Sequence, residues 1–261
     1  MPEILAPQAA ADQLHAARQD RRTIERLTDS WPDLDEPWGY AVQDLDREQR
    51  VRAGDPVIGA KLGLTSAAKQ QRMSVDRPIV GFLTASMYLR PAEVRGAMHH
   101  WAQPRIEPEI AFITSRDISH ALTDEDVASA VRDVVIAAEI IDSRWTDYRF
   151  RLADVIADNT SAAGVLVGSE PVDLPSAGDL AALACQVEVD GEIVHEATGA
   201  AILGHPLRAL RLLSEHLERR GEVLPAGSLV LAGALTDAVP LTAGRRYRLS
   251  IERLGTIDVT A

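Results

Sequence analysis

One cysteine, Cys185, stands in a chain of 261 residues, which excludes an intrachain disulfide and a zinc site built on several thiolates. Basic residues are also scarce: 27 Lys and Arg face 39 Asp and Glu, a formal net charge of -12. That balance argues against a nucleic-acid-binding surface and against docking on an anionic membrane, both of which call for clustered Lys and Arg. An anionic small molecule would therefore need local help from a cation or from a few well-placed basic groups. No apolar run approaches the roughly 18 residues of a membrane span. The stretch from Met1 to Ala11 has no basic start followed by an apolar segment, so no secretory leader is expected and a reducing cytoplasm fits best. A phosphate loop, a dinucleotide fingerprint and a Gly-x-Ser-x-Gly elbow are all missing.

What is present is an ordinary globular composition, 46% hydrophobic and 25% charged, enough to bury a sizeable core in one large domain or a small one plus a main one. Residues 9–26 read as a helix, and 35–53 as a second with Asp35 as cap and Pro37 in its first turn. Residues 57–64 read as a strand and 66–73 as a short helix. From Pro104 the texture changes to short β-type runs over 105–114, 134–141, 162–167, 184–189, 229–233 and 247–253. The Asp190-Gly191 pair marks the clearest hairpin. Two more helices are expected, over 124–132 behind Thr123 and over 206–220, where Leu207, Leu210, Leu213 and Leu217 share a face and Gly221 stops the run. The class is α+β: an N-terminal helical portion with the Lys61 strand over 1–75, then a mainly β catalytic core over 76–261.

The first chemistry-bearing stretch is Arg105-Ile106-Glu107-Pro108-Glu109. In a strand, residues two apart point to one side, so Glu107 and Glu109 project together. Like charges that close call for a cation between them, although alternating acids also fit a solvated strand face. Pro108 suggests an edge or a bulge. Glu139 tips the balance, because it interrupts the apolar run Val134-Val135-Ile136-Ala137-Ala138-Glu139-Ile140-Ile141, which reads as a strand buried on both faces. An unpaired carboxylate there costs several kcal/mol or is protonated. It is either salt-bridged to an Arg or a third ligand, and all-oxygen ligation favours Mg²⁺ or Mn²⁺ over Zn²⁺. Lys61, between Gly59 and Gly63, either snorkels to solvent or meets a substrate carboxylate or a proton. Asp142-Ser143-Arg144 directly follows the Glu139 strand, and Ala157-Asp158-Asn159-Thr160-Ser161 comes after it; both fit functional loops or plain turns. His99, His100 and His205 read as surface or structural residues.

Several stretches together resemble a known family. Gly59-Ala60-Lys61-Leu62-Gly63-Leu64-Thr65-Ser66, Pro104-Arg105-Ile106-Glu107-Pro108-Glu109-Ile110, Glu139-Ile140-Ile141-Asp142-Ser143-Arg144, Ala157-Asp158-Asn159-Thr160-Ser161 and Leu203-Gly204-His205-Pro206 are similar to the 2-keto-4-pentenoate hydratase and 4-oxalocrotonate decarboxylase branch of the fumarylacetoacetate hydrolase superfamily. The resemblance runs nearly end to end. It implies a fumarylacetoacetate-hydrolase-like mixed β-sheet or barrel core. Glu107, Glu109 and Glu139 would ligate Mg²⁺ or Mn²⁺, and Lys61, Leu62, Ile79 and Ser161 would line the site of a small 2-oxo acid. Arg105 or Arg144 would supply further positive charge. Hydratases of this branch usually carry Asp-Phe-Gly after the proline that here is Pro78. Ile79 stands where that Asp would be, which resembles the decarboxylases, as do the stretches over 142–150 and 218–227. Thr160 in place of the usual Ala, and Gly244-Arg245 in place of Gly-Asp, depart from the pattern. Decarboxylation of a 2-oxo-3-enedioate is thus expected, with the hydratase as the alternative. A hydrolase is disfavoured for want of a clear His–Glu pair. A homo-oligomer is expected, with a complex between sister hydratase and decarboxylase, or a role as an inactive partner subunit, as further options.

Overall fold

Helix α1 (Pro7–Gln19) opens on a proline, and helix α2 (Glu36–Arg52) on Asp35, whose side chain accepts from the Trp38 N–H at 2.9 Å. Helices of this length draw most of their stability from tertiary packing rather than from propensity. They bury Ala10, Leu14, Ala17, Trp38 and Val42 against Trp145, Ala153 and Ala157. The last two lie on helix α3 (Leu152–Ala157), which places the N-terminal helices on a segment next to the site. This computed structural model describes residues 4–66, 70, 71, 73 and 75–261; the short helix expected over 66–73 falls largely outside them.

Strands β1 (Val57–Gly63), β2 (Ile79–Thr84), β3 (Arg105–Thr114), β4 (Val131–Ile141) and β5 (Ala162–Val167) build the main sheet. Two later strands, β8 (Leu229–Ala234) and the short β9 (Val239–Pro240), join it. The order is β2-β1-β8-β3-β4-β5, with β9 on β3, and only the β1–β8 pair is parallel. The sheet curls into a half-barrel. Its two ends meet just past β2, where the Leu89 N–H donates to Val165 O at 2.9 Å. A second sheet contains β6 (Ala184–Val189), β7 (Glu192–Thr198), β10 (Arg246–Ile251) and β11 (Gly255–Thr260), in the order β11-β10-β6-β7.

Period-two alternation gives the two faces of the curled sheet different roles. Outside, Ile106, Ile110 and Phe112 of β3 and Val134, Ile136 and Ile140 of β4 pack into the main core. That core also takes Leu210, Leu213 and Leu217 of helix α4 (Leu207–Arg220) and Tyr247, Leu249 and Ile257 of the second sheet. Gly221, at φ 65°, ends α4 in the left-handed conformation. Inside, Leu83, Ala111, Val135, Ala137, Val165, Leu229 and Leu231 form an apolar lining. Each fully buried aliphatic or aromatic side chain of this size is worth about 1.5–3 kcal/mol, so neither face is free to turn to solvent.

The structure revises several expectations. Residues 124–132 form one helical turn, Asp126–Ser129, before β4 begins at Val131; the Thr123 cap is real but Val131, Val134 and Val135 favour the strand. β2, β11 and α3 had no sequence reading. The division at residue 75 cuts through the main sheet, since β1 lies between β2 and β8. β3 is a central strand, not an edge, although its pairing with β8 is irregular between Glu109 and Ala111, next to Pro108.

Behind β2, His216 of α4 is 8% exposed and packs on Tyr40, ring centroids 4.9 Å apart. Burial, aided by the Arg220 charge, lowers its pKa to about 4. The folded protein therefore prefers the neutral imidazole, and the stability this contributes is present above the ordinary pKa near 6.5 and lost as pH falls toward 4. With that shift, linkage gives a loss of about 2 kcal/mol between pH 7 and pH 5 from this group alone. Urea unfolding of His216→Phe should show a pH 7-to-5 loss smaller than the wild type's by about that amount; equal losses would contradict the assignment.

Candidate metal centre and active site

The register of β3 and β4 sets the site. Glu107 lies directly opposite Glu139, and Glu109 opposite Ala137, so all three glutamates stand on the inner face. One carboxylate oxygen from each lies within 4.8 Å of the others. Glu109 and Glu139 are fully buried and Glu107 is 7% exposed, which puts the open side of the cluster at Glu107. β1 supplies the balancing charge. Lys61 Nζ is 3.0 Å from Glu139 Oε2 and donates to Thr160 O at 3.2 Å. Glu109 Oε2 accepts from the Gly233 N–H at 2.6 Å. Gly233 sits at φ 120°, and a Cβ there would collide with the Thr65 side chain, so only glycine brings that N–H to the carboxylate.

Three carboxylates against one ammonium leave the cluster under-compensated. Burial first, then Glu139 and Glu107, push Glu109 well above the carboxylate range. Burial raises Glu139 to about 7, with Lys61 opposing and Glu107 reinforcing the rise. Burial works against the Lys61 ammonium, but Glu139, Glu107 and Glu109 outweigh it and hold its pKa above the usual value. Glu109 Oε1 and Glu139 Oε1 are buried with no hydrogen-bond partner among the described residues. Orphaned buried oxygens at a net deficit of two positive charges match one divalent ion held by oxygen ligands, the kind that suits Mg²⁺ or Mn²⁺. The cluster thus fits such an ion.

Lys61 is placed by a strained turn. Asn159, Thr160 and Ser161 are three successive residues at positive φ, 47°, 51° and 63°. Left-handed conformations cost non-glycine residues roughly 1–2 kcal/mol each, so something must hold them. The Asn159 side chain does so, accepting from Phe82 N and donating to Phe82 O, both at 2.9 Å. Gly81, paired with Lys61 across β1–β2, makes room: a Cβ there would lie 2.9 Å from Asn159 Oδ1, 3.0 Å from Asn159 O and closer still to the Thr160 hydroxyl. Thr160 Oγ1 and Ser161 Oγ are buried with no hydrogen-bond partner among the described residues.

The remaining sequence candidates separate. Ile79, 3% exposed, pairs with Gly63 and shares the Lys61 face, packed with Tyr40, Val155 and Ile156. Leu62 does not: its side chain lies on the opposite face, in the main core with Val80, so only its backbone can face a ligand. Arg144 is 1% exposed and its polar contacts lead away from the glutamates. Its Nη2 donates to the Asp142 carboxylate and to Asp142 O, and its N–H donates to Asp158 at 2.8 Å. Its Nη1 is buried with no partner among the described residues. Arg105 shares the glutamates' face, with its guanidinium 4.3 Å above the Tyr148 ring. Gly81 and Gly233 were not singled out by sequence; Asn159 and Tyr148 were read only as members of longer stretches, without a role of their own.

With this geometry in view, the family model of the fumarylacetoacetate (FAA) hydrolase C-terminal region matches residues 57–260. The chain belongs to the fumarylacetoacetate hydrolase family. Within it, the chain is 39% identical over 251 residues to a 2-keto-4-pentenoate hydratase of Burkholderia vietnamiensis, covering 96% of this chain and 95% of that one. It is 33% identical to a 4-oxalocrotonate decarboxylase of Pseudomonas putida, covering 96% and 94%. A solved 4-oxalocrotonate decarboxylase from Pseudomonas putida, complexed with magnesium and adipate, superposes with a TM-score of 0.91 at 31% identity, over 97% of this chain and 96% of that one. The fumarylacetoacetate-hydrolase-like fold expected from sequence is therefore the fold observed.

Asn159→Ala should leave two buried Phe82 backbone groups unpaired and lose the left-handed preference of Asn, at a cost of about 3 kcal/mol. Denaturant unfolding measures this; a loss under about 1 kcal/mol would mean that the turn is held by other contacts.

Proposed function

We propose that this chain is a divalent-metal-dependent lyase that decarboxylates a 2-oxo-3-enedioate of the 4-oxalocrotonate type to a 2-hydroxy-2,4-dienoate and CO₂. The observation that carries the lyase reading is the buried trio Glu107, Glu109 and Glu139 beside Lys61, with a net charge deficit that one divalent ion would balance. Ile79 favours decarboxylation. It presents a buried hydrocarbon surface on the Lys61 face, where addition of water to a diene would need a group able to exchange a proton. The solved Pseudomonas putida decarboxylase with magnesium and adipate, a dicarboxylate, supports the same reading.

Mg²⁺ or Mn²⁺, held by the three glutamates, would supply Lewis acidity toward a 2-oxo group and its neighbouring carboxylate. The protein's own groups do the rest. Lys61, kept charged by Glu139, adds a fixed positive charge beside the bound acid without reorganising. Ser161 Oγ, buried and unpartnered, offers a hydrogen bond that substrate can satisfy. In the reaction the bond to the remote carboxylate breaks, CO₂ departs, and the electron pair moves through the conjugated chain to the 2-oxo oxygen, which takes up a proton. Apolar surface at Ile79 excludes water from that path and favours losing a charged group as neutral CO₂. Hydration of a 2-hydroxy-2,4-dienoate is the second reading, favoured by relatives named hydratase at 36–39% identity.

Purified protein should release CO₂ from (3E)-2-oxohex-3-enedioate with Mg²⁺ or Mn²⁺ and stop on addition of EDTA. Glu109→Gln should weaken Mn²⁺ binding, read by calorimetry, beyond the ~10–100-fold that loss of an outer-shell partner costs. Metal-dependent consumption of 2-hydroxypenta-2,4-dienoate without CO₂ release would replace the decarboxylase with the hydratase.

A further inference from the structure

The cations near the glutamates differ in whether they are already spent. Lys61 is paired with Glu139, and Arg144 is locked onto Asp142. Arg105 is neither. It is part-buried, and among the described residues no carboxylate lies within ion-pair distance of its guanidinium, whose recorded contact is the face of the Tyr148 ring at 4.3 Å. A cation removed from water without an anion is costly unless a ligand supplies one. Its position along the ladder says which ligand. Arg105 lies two residues from Glu107 on β3 and opposite Ile141 on β4, and Ile141 in turn lies opposite Ala162, next to Ser161. Its side chain therefore leaves the same sheet face as the glutamates, about 7 Å along the strand from Glu107. This is the open side of the cluster, where Glu107 keeps its exposure.

Tyr148 is built to hold that guanidinium. It and Asp147 both sit at positive φ, 57° and 55°, and its hydroxyl shares its one proton between Ile141 O at 2.9 Å and Gln103 O at 3.1 Å. The ring is thus tied to the entry of β3 and the exit of β4, the two strands that carry the glutamates. Cation–π stacking fixes the plane of an arginine while leaving its N–H edge free to donate.

We propose that Arg105 recognises the remote carboxylate of the 2-oxo dioic acid, and that Tyr148 is the positioning residue that aims it. This rests on the reading that the metal-loaded site binds a 2-oxo acid, and it makes the Arg105–Tyr148 pair the device that prefers diacids over monoacids.

Calorimetric titration of the Mg²⁺-loaded protein with 2-oxohexanedioate and with 2-oxohexanoate, which lacks the remote carboxylate, tests it. The wild type should bind the diacid about 10–100-fold more tightly, the worth of a charge-assisted pair. Arg105→Gln should abolish that ratio by weakening the diacid while shifting the monoacid less than about 3-fold. Tyr148→Leu should reduce the ratio by about 3–10-fold, and Tyr148→Phe, which keeps the ring, should restore most of it. Equal weakening of both acids in Arg105→Gln, or no diacid preference in the wild type, overturns the proposal while leaving 2-oxo acid binding intact. A full ratio in Tyr148→Leu removes Tyr148 from it. If the wild type binds neither acid with Mg²⁺, the underlying reading fails as well.

Discussion

Mutual repulsion among three buried carboxylates is the constraint around which this molecule is arranged. Glu107 and Glu139 face each other across a ladder with Glu109 one step away, on a sheet face lined largely by hydrocarbon apart from Lys61 and Arg105. Left alone, such a cluster favours opening of the sheet or uptake of protons. The fold opposes opening by burying β3 and β4 on both faces, so that separating them would expose the inner lining and the main core together. It offsets part of the charge with Lys61 and one backbone N–H from Gly233. The remaining deficit is one that a divalent cation, and no neutral ligand, would balance.

Lys61 itself depends on local strain elsewhere. Its ammonium needs an acceptor besides Glu139, and the acceptor is the Thr160 carbonyl, which points there because the chain takes three left-handed residues in succession. That conformation persists through two residues on another strand: Gly81, which has no side chain to collide with the turn, and Phe82, whose backbone groups are both satisfied by Asn159. The strain is consistent with a functional role, since strained backbone is retained where the surroundings over-determine it. The same turn leaves two buried hydroxyls, those of Thr160 and Ser161, without partners, available to a bound molecule.

Sequence made part of this legible, for identifiable reasons. A glutamate inside an unbroken apolar run is an energetic contradiction, so Glu139 announced itself; Glu107 and Glu109 followed from strand periodicity once β3 was read over Arg105–Thr114. The facing of Leu62 was legible too, since period two sets it opposite Lys61, but the family resemblance obscured that signal. Arg144 could not be separated from Arg105 by sequence, because its capture by Asp142 and Asp158 depends on how the chain returns after β4. The turn at Asn159 was equally hidden. Asn and Ser suggest a turn, but Thr160 is β-branched and argues against left-handed backbone, and only the approach of Gly81, far away in sequence, explains it. β2 went unread because Gly81 interrupts a short apolar run that lacks alternation, and the glycine is there for the turn rather than for the strand.

The charges and the hydrocarbon of the inner face are segregated, and this segregation bears on the chemistry. On β3 the inner face runs from Arg105 through Glu107 and Glu109 to Ala111, and on β4 from Glu139 through Ala137 to Val135, so charge gives way to hydrocarbon along both strands. A conjugated diacid in the proposed pose would lie along β3 with its 2-oxo end at the glutamate trio and Lys61 and its remote carboxylate toward Arg105. Decarboxylation moves negative charge from the remote end of such a molecule toward the 2-oxo end, where Lys61 and the proposed divalent ion would meet it. A site whose dipoles already point along that path needs little reorganisation as the charge moves, which is the condition under which electrostatic stabilisation is most effective. Adding water would instead require a polar, proton-exchanging group at the carbon chain, and at Ile79 this protein supplies a buried alkyl group.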